Sequence, residues 1–220
     1  MRLLRSINGS VSLALPVLLA VCVCVNVLAD NVETSANTND NLPEPHRVVQ
    51  DITSRLRFII NDGKSDPITS PDKFYNSAIE ILEPIVAFDY IAKAVMGNYA
   101  DQVTSEQQQR FIEIFKKNLV KSYSKAIADL SGSTSITILQ PEVKITDQRK
   151  VTVIQKFLNQ GTISYVSYTM AQNRAKQWKV VNVVLNGINL GKTFRGQFAQ
   201  AVQNNQGNLI KVIDAWGKDS

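Results

Sequence analysis

Cysteine and histidine, which often supply nucleophiles, bases and metal ligands, are nearly absent from this chain of 220 residues. The sequence has one histidine and two cysteines, and Cys22 and Cys24 both lie in an apolar stretch near the N-terminus. It contains no phosphate-cradling glycine loop and no two-histidine metal spacing. A serine triad would have to use His46, which stands at the start of a predicted helix and which we interpret as solvated. The sequence therefore predicts no catalytic residue, no metal site and no cofactor.

The apolar stretch, residues 11–28, follows Arg2 and Arg5 and ends at the small residue Ala29. A positive segment, an apolar run and a small residue in this order are typical of a secretory signal peptide, here residues 1–29, cleaved after Ala29. A membrane anchor is the alternative, because the run approaches the ~20 residues of a spanning helix, but Pro16 disfavours it. Cleavage would remove both cysteines, so the exported chain would fold without disulfides.

Charges of the two signs nearly balance. The chain has 24 basic and 19 acidic residues, a net charge of +5, which falls by two to +3 without the two arginines of the signal peptide. This mild excess suits anionic headgroups or an acidic partner. It lacks the basic patch of a nucleic-acid-binding protein, so no nucleic-acid partner is predicted.

The chain after the signal peptide divides into a leader and one domain. Residues 30–45 are polar and acidic, which is typical of a disordered segment. Residues 46–220 are predicted to form a single domain that begins with helices. Apolar residues recur at helical spacing from 46 to 61, Ser70-Pro71-Asp72 has the composition of a helix start, and Thr104 to Gln107 has capping-box spacing before a long helix.

Beyond Gly132 the composition becomes that of β-strands, rich in Val, Ile, Thr and Tyr. Short turn signals separate the runs, which implies antiparallel neighbours. Apolar residues alternate along each run, as with Val181, Val183 and Leu185 on the fourth, so one face of the sheet needs a helical cover. The predicted strands are 134–140, 143–157, 163–172 and 178–190, followed by short helices over 194–203 and 209–216.

Two segments of the chain resemble one protein family. The stretch 178–198 joins a strand to a helix through a glycine, and 88–115 carries a second match. Together they resemble the MlaC (toluene-tolerance) family of periplasmic phospholipid-binding proteins over roughly Pro45 to Trp216. The matching positions of the strand–glycine–helix motif are Trp178, Gly187, Leu190, Arg195 and Phe198.

The resemblance implies a cone-shaped, nuclear-transport-factor-like α+β fold. N-terminal and C-terminal helices would cover one face of a curved antiparallel sheet of about four strands, with an apolar cavity between them that holds lipid acyl chains. From the apolar pattern we expect the lining to be Val95, Leu119, Tyr123, Ile127, Val153, Val166, Tyr168, Val183, Leu185, Ile188 and Leu190. Ile188 and Leu190 follow the Gly187 bend, where the mouth of the cavity could lie.

In function the resemblance implies a monomeric periplasmic carrier, not an enzyme, with a phospholipid as its ligand. Its partners would be an inner-membrane ABC lipid transporter complex and an outer-membrane lipoprotein–porin complex. Its role would be the maintenance of outer-membrane lipid asymmetry. Lys117, Lys121 and Lys125 repeat every four residues on the long helix. They form either a solvated face or a docking surface for an acidic partner.

Two alternatives remain open at this point. The first is an enzyme on the same fold acting on a small apolar substrate. Asn182 stands where the family usually has an aspartate, and an asparagine cannot act as a general base, which disfavours that alternative. The second is an envelope adaptor protein with a filled core, because apolar stripes usually indicate core packing.

Overall fold

The computed structural model describes residues 42–62, 69–128, 134–141 and 148–217, with the side chains of the long helix described up to residue 123. All of them belong to one compact unit, residues 37–220. The predicted signal peptide and nearly all of the predicted leader lie outside the described residues. The first helix begins at Glu44, two residues before the predicted start of the domain.

The described part of the chain contains six α-helices, in two groups around the strands. Four precede the strands, with a short 3-10 helix at Gly97–Gln102 between the third and fourth, and two follow them. Reciprocal hydrogen bonds between Thr104 and Gln107 confirm the predicted capping box. The helices are α1 (Glu44–Asn61), α2 (Pro71–Leu82), α3 (Phe88–Met96), α4 (Ser105–Ala128), α5 (Leu190–Asn204) and α6 (Leu209–Ala215).

Five strands form one antiparallel sheet in which each strand pairs with its neighbour in sequence. The predicted α+β class is confirmed, and the predicted fourth strand divides at the Asn186-Gly187 turn into two. Both turn residues have positive φ, 47° and 85°, which suits a two-residue hairpin. The strands are β1 (Ser135–Ile138), β2 (Lys150–Asn159), β3 (Thr162–Gln172), β4 (Trp178–Leu185) and β5 (Ile188–Asn189).

A register shift between Thr169 and Met170 changes which residues of β4 face the helices. Met170 pairs with Val180, and both are buried, whereas strict alternation had predicted Val181 on this face. A bulge adds one residue to one strand, so the alternation beyond it changes side. Val183 and Leu185 keep their predicted face opposite Tyr168 and Val166.

Two groups of buried side chains hold the layers. The first joins α1 and α2 to the sheet and contains Val49, Phe74, Val153 and Met170. The second consists of residues from the helices and their connections, among them Phe111, Phe115, Phe198 and Val212. Lys116 of α4 is nearly buried and bridges Glu83, at 2.9 Å, and Glu113, at 2.7 Å, which ties α4 to the end of α2.

No helix in the described part of the chain combines the length and the apolar character needed to span a bilayer.

His46 lies inside the fold, so our interpretation of it as a solvated residue is wrong. Its side chain is only 1% exposed. Within the described residues its Nδ1 atom has no hydrogen-bond partner. Burial lowers the pKa of His46 below its ordinary value, because the charged imidazolium loses hydration.

Acid should therefore destabilise the protein through His46. A group with a lowered pKa in the folded state binds fewer protons there than in the unfolded chain. The contribution of His46 to the free energy of unfolding is therefore retained above ~6.5, the pKa of a histidine in the unfolded chain. Below that pH the free energy of unfolding falls by up to ~1.4 kcal/mol per pH unit. We expect the free energy of unfolding, measured by urea denaturation between pH 7.5 and 5, to fall more steeply in the wild type than in His46→Gln. Parallel pH dependences of the two proteins would contradict this.

Candidate ligand-binding cavity

An open cavity of about 260 Å³ lies between the helices and the inner face of the sheet. This volume is far above the ~10–15 Å³ that one water molecule needs, so the cavity is more than a packing defect. The sheet side is lined by Phe157, Val166, Tyr168, Val180, Asn182, Val183 and Leu185. The helical side is lined by Val49, Ile52, Thr53 and Leu56 of α1, Leu82 of α2, Val86 just before α3, Phe88 and Ile91 of α3, Phe115, Leu119, Val120 and Tyr123 of α4, and Leu190, Gly191 and Phe194 of α5.

The inner face of the sheet is less well covered towards the β2–β3 turn. At the opposite end of the sheet the inner residues Val151, Met170 and Val180 are buried. Towards the turn, Val166 and Leu185 are only partly buried. Among the described residues, the cover of the inner face is therefore closer at one end than at the other.

None of the described residues that line the cavity is charged. The polar side chains among them are Thr53, Tyr123, Tyr168 and Asn182. Burial raises the pKa of Tyr123 and of Tyr168, so both phenols stay neutral at physiological pH. A wall of this kind favours an uncharged, apolar ligand, because a charged group would lose hydration without gaining a group of opposite charge.

A chain of hydrogen bonds connects the sheet to α1 beside the cavity. The Tyr168 hydroxyl donates to Gln155 Oε1 at 2.9 Å, and Gln155 Nε2 donates to Thr53 Oγ1 at 2.8 Å. The Thr53 hydroxyl donates in turn to the Val49 carbonyl oxygen at 2.9 Å. Each donor in this series has an acceptor, so the buried polar groups connect β2 and β3 to α1 without an unsatisfied atom among them.

Seven of the eleven predicted lining residues contribute to the cavity wall. They come from one helix, two strands and the start of another helix, which are distant in sequence. They are Leu119, Tyr123, Val166, Tyr168, Val183, Leu185 and Leu190.

The other four predicted lining residues lie elsewhere. Val95 and Val153 are 1% and 0% exposed and belong to the two packed cores, where neighbouring side chains fill the space around them. Ile188 is 59% exposed on β5, beside Leu185 across the turn. Ile127 belongs to the end of α4, whose side chains lie outside the described residues.

The proposed lysine face is described in part. Lys117 and Lys121 are exposed on α4. Lys125 lies outside the residues whose side chains are described. Docking of a partner on this face stays a prediction.

Pattern reasoning missed the contribution of α1 and the role of Gln155. Val49, Ile52 and Leu56 were recognised as an apolar stripe, but nothing in the stripe distinguishes a cavity wall from a core. Gln155 occupies an inward position between Val153 and Phe157, and it is 1% exposed. A polar residue at an inward position of a strand was the signal that could have revealed the hydrogen-bonded chain.

The site offers little for metal binding or catalysis. Within the described ranges no group of three His, Cys, Asp or Glu residues is placed to hold a metal ion. The lining residues are neutral and mostly hydrocarbon. Such a wall can exclude water and hold an apolar molecule by contact alone.

An antiparallel sheet covered on one face by helices, with an uncharged cavity between the layers, defines an α+β protein with an internal cavity. A solved structure shares this fold: the phospholipid-binding protein from Ralstonia solanacearum, in complex with a phospholipid, has a TM-score of 0.72 and 21% identity, covering 80% of this chain and 98% of that one. The MlaC protein family model matches residues 50–218, and the chain belongs to this family. The family resemblance noted in the sequence is thereby confirmed.

Curated relatives agree with this assignment. The chain is 39% identical to the toluene tolerance protein ttg2D of Pseudomonas putida over 174 residues, which are 78% of this chain and 79% of the relative. It is 21% identical to the intermembrane phospholipid transport system binding protein MlaC of Haemophilus influenzae over 150 residues, which are 66% and 69% of the two chains.

The start of α5 comes close to the Asn182 side chain of the cavity wall at Gly191. A β-carbon at Gly191 would lie 2.7 Å from Asn182 Oδ1, whereas one at Gly196 of the same helix would meet nothing within 4 Å. We expect Gly191→Ala to lower the free energy of unfolding by about 1–3 kcal/mol through overpacking. Gly196→Ala should raise it by about 0.5–1 kcal/mol, because alanine favours a helix.

Chemical denaturation gives the free energy of unfolding of the two variants and of a double variant that carries Gly191→Ala and Asn182→Ala. In the double variant, Asn182→Ala should recover most of the free energy of unfolding lost through Gly191→Ala, because it removes the side-chain oxygen that the new β-carbon would meet. Equal stability of Gly191→Ala and Gly196→Ala would contradict the close approach.

Proposed function

We propose that the chain is a periplasmic carrier that holds the acyl chains of a phospholipid in the cavity and leaves the headgroup in water at the mouth. The observation that carries the proposal is the open cavity with an uncharged, apolar lining. Two similar proteins support it, since one is a phospholipid-binding protein and the other is the binding protein of an intermembrane phospholipid transport system.

The energy of exposing a lipid to water explains why such a cavity is needed. A two-tailed lipid has on the order of thirty methylenes, and each gains ~0.8 kcal/mol on leaving water, so a free lipid costs roughly 20 kcal/mol or more. A bilayer shields the tails equally well, and apolar contact alone therefore cannot draw a lipid out of a membrane. Loading and release should depend on partner complexes that expel the lipid or accept it.

The proposal places this carrier between two membranes. The chain would be exported after cleavage at Ala29 and would exchange lipid with an inner-membrane ABC transporter complex and an outer-membrane lipoprotein–porin complex. Its role would be to maintain the lipid asymmetry of the outer membrane. The mild positive charge of the chain favours approach to anionic membrane surfaces.

The alternatives fit the site less well. An adaptor with a filled core would not need the cavity. An enzyme would need a general acid, base or nucleophile facing its substrate, and the described lining residues include no histidine, cysteine or carboxylate. Binding of an apolar ligand is what the side chains support.

The first test is to purify the protein from the periplasm of a Gram-negative host and analyse an organic extract by mass spectrometry. We expect phospholipid to co-purify in stoichiometric amount. Protein that carries no phospholipid, and takes none up from phosphatidylglycerol vesicles, would contradict the proposal.

A charge in the cavity wall should abolish this loading. Leu185 lines the cavity, while its neighbour Val184 pairs with Ser167 and does not line it. We expect Leu185→Glu to lower the lipid content at least about tenfold, because a buried carboxylate among the tails costs well over 1.4 kcal/mol. Val184→Glu is the matched control and should retain lipid. Equal lipid content in the two folded variants would show that this wall does not contact the ligand.

A further inference from the structure

Basic and acidic residues are distributed unevenly along the chain. No acidic residue lies between Asp147 and Asp214, a stretch that contains the strands β2 to β5, the helix α5 and most of α6. These strands and helices therefore carry only positive charges, whereas nearly all of the carboxylates come earlier in the chain. The nine basic residues of the stretch are Arg149, Lys150, Lys156, Arg174, Lys176, Lys179, Lys192, Arg195 and Lys211.

Strand pairing brings three of these basic residues together at one end of the sheet. Lys150 of β2 and Lys179 of β4 both pair with Ala171 of β3. Directly paired residues lie on the same face of a sheet, so the two lysines are on one face, with β3 between them. Arg149 is beside them, because its carbonyl oxygen accepts a hydrogen bond from the Gln172 backbone N–H at 2.9 Å.

The turn between β3 and β4 adds Arg174 and Lys176 at the same end, and both are exposed. Asn173 holds the turn, since its Oδ1 atom accepts a hydrogen bond from Gln177 N at 2.9 Å and its carbonyl oxygen accepts one from Lys176 N at 3.0 Å. These hydrogen bonds involve the side chain of neither Arg174 nor Lys176. We call the five residues Arg149, Lys150, Arg174, Lys176 and Lys179 the basic end of the sheet.

No carboxylate in the described part of the chain forms an ion pair with the basic end. Lys179 Nζ donates a hydrogen bond to the carbonyl oxygen of Pro84. The carboxylate next to Pro84 in sequence, Glu83, is bridged to Lys116 at 2.9 Å. Asp147, which precedes Arg149, lies outside the described residues. Five positive charges close together attract anions to this end of the molecule.

The chemistry of the basic end fits the surface of an anionic bilayer. The cavity is lined by none of its five residues, so they are not part of the apolar site. The exposed residues between them in the turn are Asn173, Ala175 and Gln177. A protein–protein interface usually has an apolar or aromatic centre and few lysines, which this turn does not offer. Cations without an apolar centre suit the many dispersed negative charges of lipid headgroups.

We propose that the basic end of the sheet holds the protein on an anionic lipid bilayer by electrostatic attraction, without insertion into the acyl region. This contact goes beyond the proposed carrier function, because it needs neither the cavity nor a bound lipid. The strand β3 has 11 residues and separates the basic end from the β2–β3 turn by roughly 35 Å, at ~3.3 Å per residue. The less covered end of the inner face therefore lies away from the membrane.

Co-sedimentation with sucrose-loaded vesicles tests the contact. We expect the wild type to bind vesicles of phosphatidylcholine with about 30% phosphatidylglycerol at least about tenfold more tightly than vesicles of phosphatidylcholine alone, in 0.1 M NaCl. Binding should be lost in 1 M NaCl, because the Debye length falls from ~10 to ~3 Å and screens the attraction.

Two double variants with the same change in net charge show where the contact lies. Each basic residue near an anionic surface strengthens association about fivefold, so Arg174→Gln with Lys176→Gln should weaken binding about 25-fold. The turn should keep its shape, because its hydrogen bonds do not use these side chains. Lys192→Gln with Lys211→Gln is the matched control, since both lysines are exposed on other elements, α5 and α6. The control should bind within about threefold of the wild type.

The phospholipid content of each purified protein, measured by mass spectrometry, separates this inference from the carrier function. The variant of the turn should lose vesicle binding and keep the lipid content of the wild type. A wild type without phospholipid would contradict the carrier function, while the vesicle results still decide the inference. Equal binding of the wild type to the two kinds of vesicle would overturn the inference, as would equal losses in the two double variants. A wild type that binds no vesicle would also overturn it and would leave the basic end to an acidic protein partner. Thermal unfolding confirms that the compared proteins are folded.

Discussion

The cavity exists because α3, α4, α5 and α6 pack mainly on one another. Phe111 of α4 contacts Phe198 of α5 and Trp216 after α6, with ring centroids 5.1 and 5.5 Å apart. The core group to which Phe111 and Phe198 belong draws its residues from helices and their connections. These four helices bury much of their apolar surface on one another, so among the described residues the inner face near Val166 and Leu185 faces a cavity and not a packed layer.

An unfilled apolar space is destabilising, because its wall loses the contacts that a packed core would have. The rest of the molecule limits this loss to one end. α1 and α2 form a solid core with the far end of the sheet, and the hydrogen bonds of Gln155 connect the sheet to α1. A ligand that fills the cavity restores the missing contacts and stabilises the folded state by mass action. Stability and binding are therefore coupled through the same surface.

The sequence predicted the parts of this structure that have local signals. The capping box of Thr104 and Gln107 and the bend at Gly187 are local, and each appears where predicted. Whether an apolar residue faces a core or a cavity depends on the distance between layers, which no local pattern encodes. Val95 and Val153 have the same pattern as true lining residues and lie in packed cores. His46 was misjudged for a related reason, since its position at the start of a helix does not reveal that its side chain is buried.

The most direct test is to locate the acyl chains within the folded protein. A phosphatidylcholine with a photoreactive diazirine near the end of one tail, loaded from vesicles and illuminated, labels the side chains that surround that tail. Mass spectrometry of the peptides should find adducts on inward residues of β3 and β4, such as Tyr168 and Val183, and on α4 around Leu119. Adducts confined to the opposite face of the sheet, at Tyr165 or Ser167, would contradict the assignment of the cavity as the lipid site.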